Sequence, residues 1–306
     1  MKKQRTAFIP IVRLRKYWYI FSGLLMATTI ALVATGGLKL GIDFAGGSIH
    51  EISFTQERPS NDEIRETLAE LTNDPVIQPS GDTNVILRYQ HASNQERQAI
   101  LTALNDNHGE VSEERFESIG PTIGNELKQK AFYAIGLVIL AIILYLTYAF
   151  RKVSEPVKSW KYGILAIVTL IHDVVIVVGV FAVLGHLRNA QIDSLFLIAL
   201  LTTLGYSVHD TIVVFDRTRT NLIKFGGSKF EYAVSLATNQ TLSRSINTSA
   251  TTALPLVALL LFGGSTIHNF VIALLVGVLA GTYSSIFIAS PLLVTWHRWS
   301  SKRHTA

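Results

Sequence analysis

Six long apolar stretches dominate the hydrophobic pattern of the chain. A helix needs about 20 mainly apolar residues to cross a hydrocarbon core about 30 Å thick. The stretches that meet this length cover residues 17–36, 131–150, 162–184, 194–215, 245–264 and 268–294. The first two are separated by a polar block, residues 37–130, whereas the later connections are short. The pattern therefore predicts an α-helical membrane protein with six transmembrane helices and one inserted domain.

The polar block carries the signals of a small α+β domain. Ser60 followed by Glu63, and Ser93 followed by Glu96, have the spacing of capping boxes, which predicts two helices running to about Leu71 and about Leu104. Alternating or β-rich segments predict strands at Ser48–Phe54, Val76–Gln78, Asn84–Tyr89 and Val111–Ile119. The order βαββαβ is that of a ferredoxin-like unit, with one sheet and two helices on one face.

The distribution of Lys and Arg predicts the orientation. If the N-terminus is cytoplasmic, six spans return the C-terminus to the same side, and cytoplasmic segments of membrane proteins are rich in Lys and Arg. This topology places 18 of the 27 cationic residues inside and only Arg188 in the two short outside loops. The inside set is Lys2, Lys3, Arg5, Arg13, Arg15, Lys16, Arg151, Lys152, Lys158, Lys161, Arg217, Arg219, Lys224, Lys229, Arg244, Arg298, Lys302 and Arg303.

These patterns define five regions. A cytoplasmic segment (1–16) precedes the first transmembrane helix (17–36), and an extracytoplasmic domain (37–130) follows. The remaining five transmembrane helices occupy residues 131–294, and a cytoplasmic tail (295–306) ends the sequence. The sequence thus predicts a multi-pass protein of the cytoplasmic membrane, with both termini inside and the domain outside.

Composition agrees with a membrane location and narrows the chemistry. Hydrophobic residues make up 49% of the chain and charged residues 16%, with a mean hydropathy of +0.34, whereas soluble domains are about 25% charged. The absence of cysteine excludes disulfides, thiolate metal sites and a cysteine nucleophile. The polar block offers no P-loop, no metal-ligand spacing and no activated serine, which leaves it a binding or mechanical role. No G-x-S-x motif of an intramembrane protease is paired with a membrane histidine, and we expect no enzyme activity.

Charged side chains inside the predicted spans are candidate functional residues, because inserting one costs about 2.5–3.5 kcal/mol. The third span contains His172 and Asp173, and the fourth contains His209 and Asp210. Arg244 begins the fifth span and is followed by a polar run through Thr252 that cannot face lipid throughout. Asp216, Arg217 and Arg219 fall near the cytoplasmic interface, where they are typical anchors.

Asp210 and Arg244 are expected at similar depths on adjacent helices. A carboxylate next to an arginine stays ionised, and it takes up a proton when the arginine moves away, which is the behaviour that a proton-driven machine needs. A static ion pair that fixes helix packing fits the residue types equally well. His172 and His209 have the chemistry for proton relay, although hydrogen bonding to a neighbouring helix is favoured for each.

Small residues and prolines predict close packing and bending of the later spans. Small residues such as glycine, alanine and serine allow helices to approach closely, and proline inside a helix removes a hydrogen bond. The small residues are Gly205, Ser207, Ala250, Ala253, Gly277, Ala280, Gly281, Ser284 and Ser285, and the prolines are Pro255 and Pro291.

Four motifs resemble the SecD/SecF family of accessory subunits of the bacterial protein-export translocon. The segment LGIDFAGG at 40–47 is similar to the family's GIDF-x-GG motif, and GPTIGNEL at 120–127 is similar to its V-G-P-x-V-G-x-E-L segment. The stretches at 205–219 and 241–252 resemble the signatures of the fourth and fifth SecF spans. The single small outside domain favours the SecF branch. His209 stands where relatives often have Asn, and Thr220 where the pattern ends in Glu.

The resemblance implies a fold, partners and site residues. It implies the six-span architecture of the resistance-nodulation-division superfamily and a complex with SecD, with the SecYEG channel and, as a further candidate, with YajC. It also implies use of the proton motive force, with the proton as coupling ion and no cofactor, to assist late stages of polypeptide export. By motif, Asp210 and Arg244 match the proton-conducting pair, with Asp173, His172 and His209 as secondary candidates.

The glycine-rich motif residues are interpreted as structural. Asp43 lies just beyond the first span in a turn, where a short carboxylate can accept hydrogen bonds from backbone amides. We expect a structural role, as a hinge between membrane and outside regions, for Gly41, Asp43, Phe44, Gly46, Gly47, Gly120, Pro121 and Gly124.

Two alternative functions stay open at this point. A small-molecule exporter of the same architecture would need larger outside loops than this chain has. A passive scaffold for SecD, which conducts nothing, would require neither Asp210 nor the gradient.

Overall fold

The computed structural model describes residues 8–72, 75–149 and 159–302. These residues form two compact units. The smaller unit comprises Leu40–Tyr133 with Gln191–Ser194, and the larger unit contains the other described residues. The charge assignments at Lys2, Lys3, Arg5, Arg151, Lys152, Lys158 and Arg303 lie outside the described residues.

The elements follow the predicted order. From the N-terminus they are α1 (Arg15–Ala34), β1 (Lys39–Leu40), α2 (Ile42–Ala45), β2 (Gly47–Phe54), α3 (Asn61–Leu68), β3 (Val76–Ser80), β4 (Asn84–Tyr89), α4 (Asn94–His108) and β5 (Val111–Ile119). They continue with α5 (Pro121–Ala149), α6 (Ser159–Arg188), β6 (Gln191–Ile192), α7 (Ser194–Phe225), α8 (Phe230–Phe262), α9 (Ser265–Ser284) and α10 (Ser290–Lys302).

The smaller unit contains an antiparallel sheet with the strand order β3-β4-β2-β5. This is the strand order of a βαββαβ unit. α3 connects β2 to β3 across the position of β4, and α4 connects β4 to β5 across the position of β2. α3 and α4 pack on the sheet through a core of fully buried side chains: Ile52, Ile64, Leu68, Val85, Leu87, Ile100 and Leu104. The predicted α+β domain is confirmed.

Both predicted capping boxes are present. The Ser60 hydroxyl accepts a hydrogen bond from the Glu63 amide at 3.3 Å, and the Glu63 carboxylate accepts one from the Ser60 amide at 2.8 Å. The same exchange joins Ser93 and Glu96. These backbone hydrogen bonds lower the pKa of Glu63 and of Glu96, because they stabilise the charged carboxylates.

The helix ends differ from the predicted ones. α3 ends at Leu68, earlier than the predicted Leu71, because the chain turns there through a hydrogen bond from Leu71 N to Leu68 O. α4 continues past Leu104 to His108 and ends at Gly109, which has a φ of +85°. Glycine adopts this left-handed conformation without steric cost, so the helix stops at the first residue that favours a stop.

Six helical stretches among the described residues are long and apolar enough to cross a membrane. They are Arg15–Ala34, Pro121–Ala149, Trp160–Arg188, Ser194–Phe225, Gly227–Phe262 and Thr266–Ser300. The predicted number of spans is confirmed, although most helices extend beyond the apolar stretch. The helix of the second span, α5, begins at Pro121 rather than near residue 131. Proline fits the first turn of a helix.

The main buried apolar cluster of the larger unit takes most of its side chains from α6, α7, α8 and α10. Glycines of α9 pack against α7 at very short range. A Cβ placed on Gly277 would lie 2.3 Å from Thr203 Cγ2, and one on Gly281 would lie 2.8 Å from Ser207 Cβ. Gly205, in contrast, faces open space, so only some of the predicted small residues serve helix contact.

The sixth span changes geometry before its proline. Residues Ser285–Ala289 form a π-helical segment between α9 and α10, and Pro291 follows at the start of α10. Proline has no backbone N–H to give to the carbonyl four residues earlier, and π segments accommodate such interruptions. Pro255 lies within α8, which continues past it.

Candidate functional site

A layer of buried polar side chains crosses the larger unit. Asp173 on α6 and Asp210 on α7 are the two buried carboxylates of this layer, 4% and 9% exposed. Hydroxyl groups from α7, α8, α9 and the π-helical segment that follows it lie in the same layer: Ser207, Thr211, Ser245, Ser249, Thr282, Ser284 and Ser285. The lipid-excluded positions of both aspartates fit the expectation that intramembrane charges face a helix bundle.

Asp210 is held by α8. Its Oδ1 accepts a hydrogen bond of 2.6 Å from the hydroxyl of Ser245, whose side chain is fully buried. Its Oδ2 is also buried and has no hydrogen-bond partner within the described part of the chain. The carboxylate therefore has one oxygen satisfied by the neighbouring helix and one oxygen open to a proton.

Arg244 does not form an ion pair with Asp210 among the residues that the structure describes. Consecutive residues of an α-helix point in directions about 100° apart, and here Ser245 faces α7 while Arg244 is exposed. Arg244 and Ser245 are adjacent on α8, so Arg244 lies at about the same level along the helices as Asp210. The expected direct contact is replaced by the serine.

An open groove of about 410 Å³ lies beside this pair of helices. Its walls come from α7 and α8 and combine apolar, amide and charged side chains: Ile212, Val213, Asp216, Arg217, Gln240, Thr241 and Arg244. Arg217 Nε donates to Gln240 Oε1 at 2.6 Å, which fixes this arginine at the helix surface. The groove brings open space to the helix segment that carries Arg244.

Asp173 connects three helices. Its Oδ2 accepts hydrogen bonds from Ser207 Oγ at 2.5 Å and from Ser284 Oγ at 2.8 Å, which belong to α7 and α9. Its Oδ1 lies 3.1 Å from Nδ1 of the adjacent His172. Both carboxylate oxygens are thus occupied, in contrast to those of Asp210.

The two membrane histidines have different surroundings. His172 is 3% exposed and stacks on Tyr283 with ring centroids 5.9 Å apart. Its Nε2 is buried without a hydrogen-bond partner among the described residues. His209 is exposed and lines a surface groove with α5 side chains. Only His172 is therefore built into the polar layer next to a carboxylate.

Sequence reasoning named the aspartates but missed their hydrogen-bond donors. Ser207 and Ser284 were interpreted only as small packing residues, and Ser245 only as part of a polar run. A signal was present, because Ser245 and Ser249 are four residues apart and therefore share one face of α8. No pattern within a single helix indicates which carboxylate such a face will meet.

The two glycine-containing motifs pack against each other within the smaller unit. A Cβ on Gly124 would lie 2.9 Å from the backbone nitrogen of Gly46. Gly46 and Gly47 both have positive φ, +75° and +132°, a region that disfavours other residues. Gly46 also packs closely on Pro121, whose Cα would lie 3.1 Å from a Cβ there.

The GIDF segment forms a single helical turn. Ile42–Ala45 make up α2, and Phe44 is buried. Gly41 N donates to Ile192 O at 2.8 Å, and Asp43 Oδ2 accepts from the backbone amide of Ser194 at 2.7 Å. The Asp43 carboxylate thus binds the main-chain amide of Ser194, the first residue of α7, rather than an amide of its own turn. Gly120 ends the preceding strand and faces open space.

A buried histidine cluster lies in the smaller unit, in a domain whose sequence gave no sign of it. His50 is fully buried, with Nδ1 3.1 Å from the Tyr89 hydroxyl and Nε2 2.7 Å from Glu113 Oε2. Arg97 binds the same carboxylate through two hydrogen bonds of 2.7 and 2.5 Å. Burial lowers the pKa of His50, against the opposing effect of Glu113, and the bond to Arg97 lowers the pKa of Glu113.

This cluster predicts that the domain loses stability in acid. A group whose pKa is lower in the folded state binds fewer protons there than in the unfolded state, so stability falls as pH falls. For His50 the loss begins near its unperturbed pKa of about 6.5, and for Glu113 it begins near about 4.3. We expect amide hydrogen exchange of β2 and β5 in the full chain to accelerate between pH 7.5 and 5.5 more than intrinsic exchange chemistry requires. His50→Asn, which cannot titrate, should remove this excess; an unchanged excess would contradict the assignment to His50.

Comparisons with known proteins place the chain in a family. Residues 99–299 match the family described as "Protein export membrane protein SecD/SecF, C-terminal", and residues 31–57 match the SecD/SecF GG motif. The protein translocase subunit SecF of Thermobaculum terrenum is 43% identical over 302 residues, which cover 94% of each chain. SecF of Synechocystis is 34% identical over 97% of this chain and 96% of that protein.

The chain belongs to the SecF family. It is therefore a subunit of the Sec protein translocase, a multi-pass membrane protein of transport and not an enzyme. The relatives named here are protein translocase subunits and not small-molecule exporters. The resemblance inferred from the motifs is confirmed.

Relatives in which SecD and SecF are fused indicate the partner of this SecF-family chain. The SecDF protein of Bacillus subtilis is 34% identical over 95% of this chain, which spans 38% of that protein. The crystal structure of SecDF from Thermus thermophilus is 30% identical, with a TM-score of 0.85 over 97% of this chain and 40% of that one. The fusion implies association with SecD, and the match confirms the fold.

Proposed function

We propose that this SecF-family chain, together with SecD, uses the proton motive force to assist late stages of polypeptide translocation. Asp210 is the residue that takes up the proton. The observation that carries the proposal is its carboxylate geometry: one oxygen bound by Ser245, the other buried and unpaired among the described residues. A carboxylate in this state changes its contacts with α8 when its charge changes.

The hydrogen bond between α7 and α8 supplies the coupling. Hydrogen bonds to an ionised group are roughly twice as strong as those between neutral groups. Protonation of Asp210 therefore weakens its bond to Ser245 and loosens α8 from α7 at this level. A proton crossing 100 mV gains about 2.3 kcal/mol, which is enough to shift a two-state helix arrangement by more than tenfold.

Arg244 acts from the groove beside Asp210 rather than through a bond to it. The guanidinium belongs to the residue next to Ser245, so any rotation of α8 that breaks the serine bond moves Arg244 as well. An approach of Arg244 towards Asp210 favours the ionised carboxylate and release of the proton. The groove of about 410 Å³ lies beside these residues, and we infer that water enters it during this step.

Asp173 and His172 form a secondary part of the proton pathway. Asp173 binds Ser207, which lies three residues before Asp210 on the same helix. The imidazole of His172 has a free nitrogen among the described atoms and can carry a proton next to Asp173. His209, exposed on α7, is a weaker candidate in this chain.

Orientation and the further partners belong to the same proposal. The excess of Lys and Arg in the short connections supports cytoplasmic termini and an extracytoplasmic domain. We infer that the SecD-bound chain works beside the SecYEG channel on exported, unfolded polypeptide, with YajC as a further candidate partner. A hinge role for the GIDFAGG and GPTIG segments stays a prediction.

The proposal is tested by removing the gradient. In vesicles that contain SecYEG and SecD, with or without this chain, an uncoupler should slow completion of export severalfold only when the chain is present. The motor that initiates export is supplied with ATP in every sample, so its contribution is constant. Equal sensitivity to the uncoupler in both vesicle types would favour the passive scaffold.

A further inference from the structure

We propose that Ser245 is the positioning residue for Asp210, holding one carboxylate oxygen and thereby setting the pH at which the other oxygen takes up the proton. This inference rests on the proposed function, in which Asp210 binds the transported proton. It adds a residue from another helix whose only contact with the proton site is a hydrogen bond.

The Ser245 hydroxyl donates its hydrogen to Asp210 Oδ1. A serine hydroxyl has a single hydrogen to donate, and the 2.6 Å contact directs it to Asp210 Oδ1. Ser245 is fully buried, so water does not compete for this donor. Because Oδ1 is occupied, the proton is received at Oδ2, which is buried and unpaired within the described residues.

Ser249 lies on the same face of α8 as Ser245, but its hydroxyl contacts different groups. The Ser249 hydroxyl lies one turn further along and donates to the carbonyl oxygen of Ser245 at 2.8 Å. It also contacts the Tyr206 hydroxyl of α7 at 3.1 Å and the hydroxyl of Thr282 on α9. α8 is thus tied to α7 by two neighbouring hydroxyl contacts, and only one of them reaches a carboxylate.

The effect of Ser245 depends on the charge of Asp210. Its hydrogen bond stabilises the ionised carboxylate more than the protonated acid, because charge-assisted hydrogen bonds are the stronger ones. Without the donor, the ionised form loses this advantage and the proton is taken up at a higher pH. Without this hydrogen bond, protonation of Asp210 would also no longer change the contact between α7 and α8.

Other titratable groups near Asp210 do not duplicate this contact. His209 precedes it on α7, and Arg244 precedes Ser245 on α8; both act on the carboxylate through space and neither bonds to it in the described structure. On α6 and α9, the titratable groups of the polar layer are His172, Asp173 and Tyr283, whose contacts are with one another or with other hydroxyls. Ser245 is the direct donor, and its removal is therefore a selective change.

The test compares Ser245→Ala with Ser249→Ala. Both variants remove one buried hydroxyl from the same face of α8, but Ser249 has no contact with Asp210. Proton uptake is measured as a function of pH in vesicles carrying the SecD complex of the full chain. We expect Ser245→Ala to raise the midpoint by about one pH unit, a tenfold change in proton affinity equivalent to about 1.4 kcal/mol, and Ser249→Ala to leave it unchanged.

A second measurement keeps the test decisive if Ser245→Ala stops transport. The C=O band of protonated Asp210, assigned by its loss in Asp210→Asn, is followed by infrared difference spectroscopy while the pH is varied. This titration requires a folded complex but no export. If Ser245→Ala does not assemble, Ser245→Cys keeps a side chain of similar size with a weaker donor, and its midpoint should shift in the same direction.

The outcomes separate this inference from the proposed function. A midpoint unchanged in the folded Ser245 variant, or shifted equally by Ser249→Ala, would overturn the role of Ser245 while leaving Asp210 as the proton acceptor. Proton uptake that is normal in Asp210→Asn would instead overturn the proposed function itself. A shift confined to the Ser245 variants, with uptake abolished in Asp210→Asn, supports both.

Discussion

Replacing Asp210 by Asn is expected to abolish gradient-dependent export while leaving assembly with SecD intact. Asn has nearly the same shape as Asp and can accept the hydrogen bond of 2.6 Å that Ser245 donates, so helix packing at this point should survive. It cannot bind or release a proton near neutral pH. Export should fall to the rate that the ATP-driven motor sustains alone, and an uncoupler should have no further effect on it.

Asp216→Asn is the matched control for this experiment. Asp216 lies on the same helix, less than two turns after Asp210, but its side chain is exposed and reaches Arg219 only at 3.8 Å. Such an exposed pair contributes little, and we expect export to respond to the gradient as in the unaltered chain. Copurification of SecD with each variant verifies assembly. Gradient-driven export at the normal rate in Asp210→Asn would rule out Asp210 as the coupling residue.

The large features of the fold were predictable because each depends on a pattern within one segment of the sequence. The length of each apolar stretch sets the number of spans, and the capping serines at Ser60 and Ser93 fix where α3 and α4 begin. The strand pattern gave β4 and β5 with their observed limits. Such signals are local, since each depends on neighbouring residues of one segment.

The contacts of the site were less predictable because they join distant segments. Asp210 and Arg244 were expected to pair, since opposite charges at one depth attract. In the structure Ser245, and not Arg244, contacts the Asp210 carboxylate. The two residues are neighbours on α8 and point in directions about 100° apart. The rotation of a helix about its own axis is set by packing on every side, here including the contact of Ser249 on α8 with Thr282 of α9, and not by the two charges alone.

The histidine cluster of the smaller unit was invisible for a similar reason. His50, Glu113 and Arg97 belong to β2, β5 and α4, and no spacing within the sequence connects the three. Sheet pairing places His50 opposite Phe116, and a bulge after Glu51 shifts the register, so that Glu113 is paired with Ile52. One residue of register moves every side chain to the other face, and the alternation pattern does not reveal a bulge.

Gly124→Ala is expected to destabilise the smaller unit, because the two glycine motifs depend on direct backbone contact. The added Cβ would lie 2.9 Å from Gly46 N and 3.4 Å from Gly46 Cα. Both neighbours are backbone atoms, and the positive φ of Gly46 leaves this turn little freedom to move. Overpacking of this kind costs about 1–3 kcal/mol. Faster hydrogen exchange of α2 and the first turn of α5 in the full chain would report the loss.

Gly120→Ala separates this contact from a general effect of replacing glycine in the motif. Gly120 lies four residues earlier in the same segment, and a Cβ there would meet nothing within 4 Å. Its φ is outside the positive region, so the added methyl group meets no steric obstacle, and only the small helix-capping difference between glycine and alanine remains. Exchange in Gly120→Ala should therefore accelerate much less than in Gly124→Ala. Equal acceleration in both variants would mean that the motif requires flexible glycines, whereas acceleration confined to Gly124→Ala would identify the close approach of Gly46 and Gly124 as the reason that glycine occupies both positions.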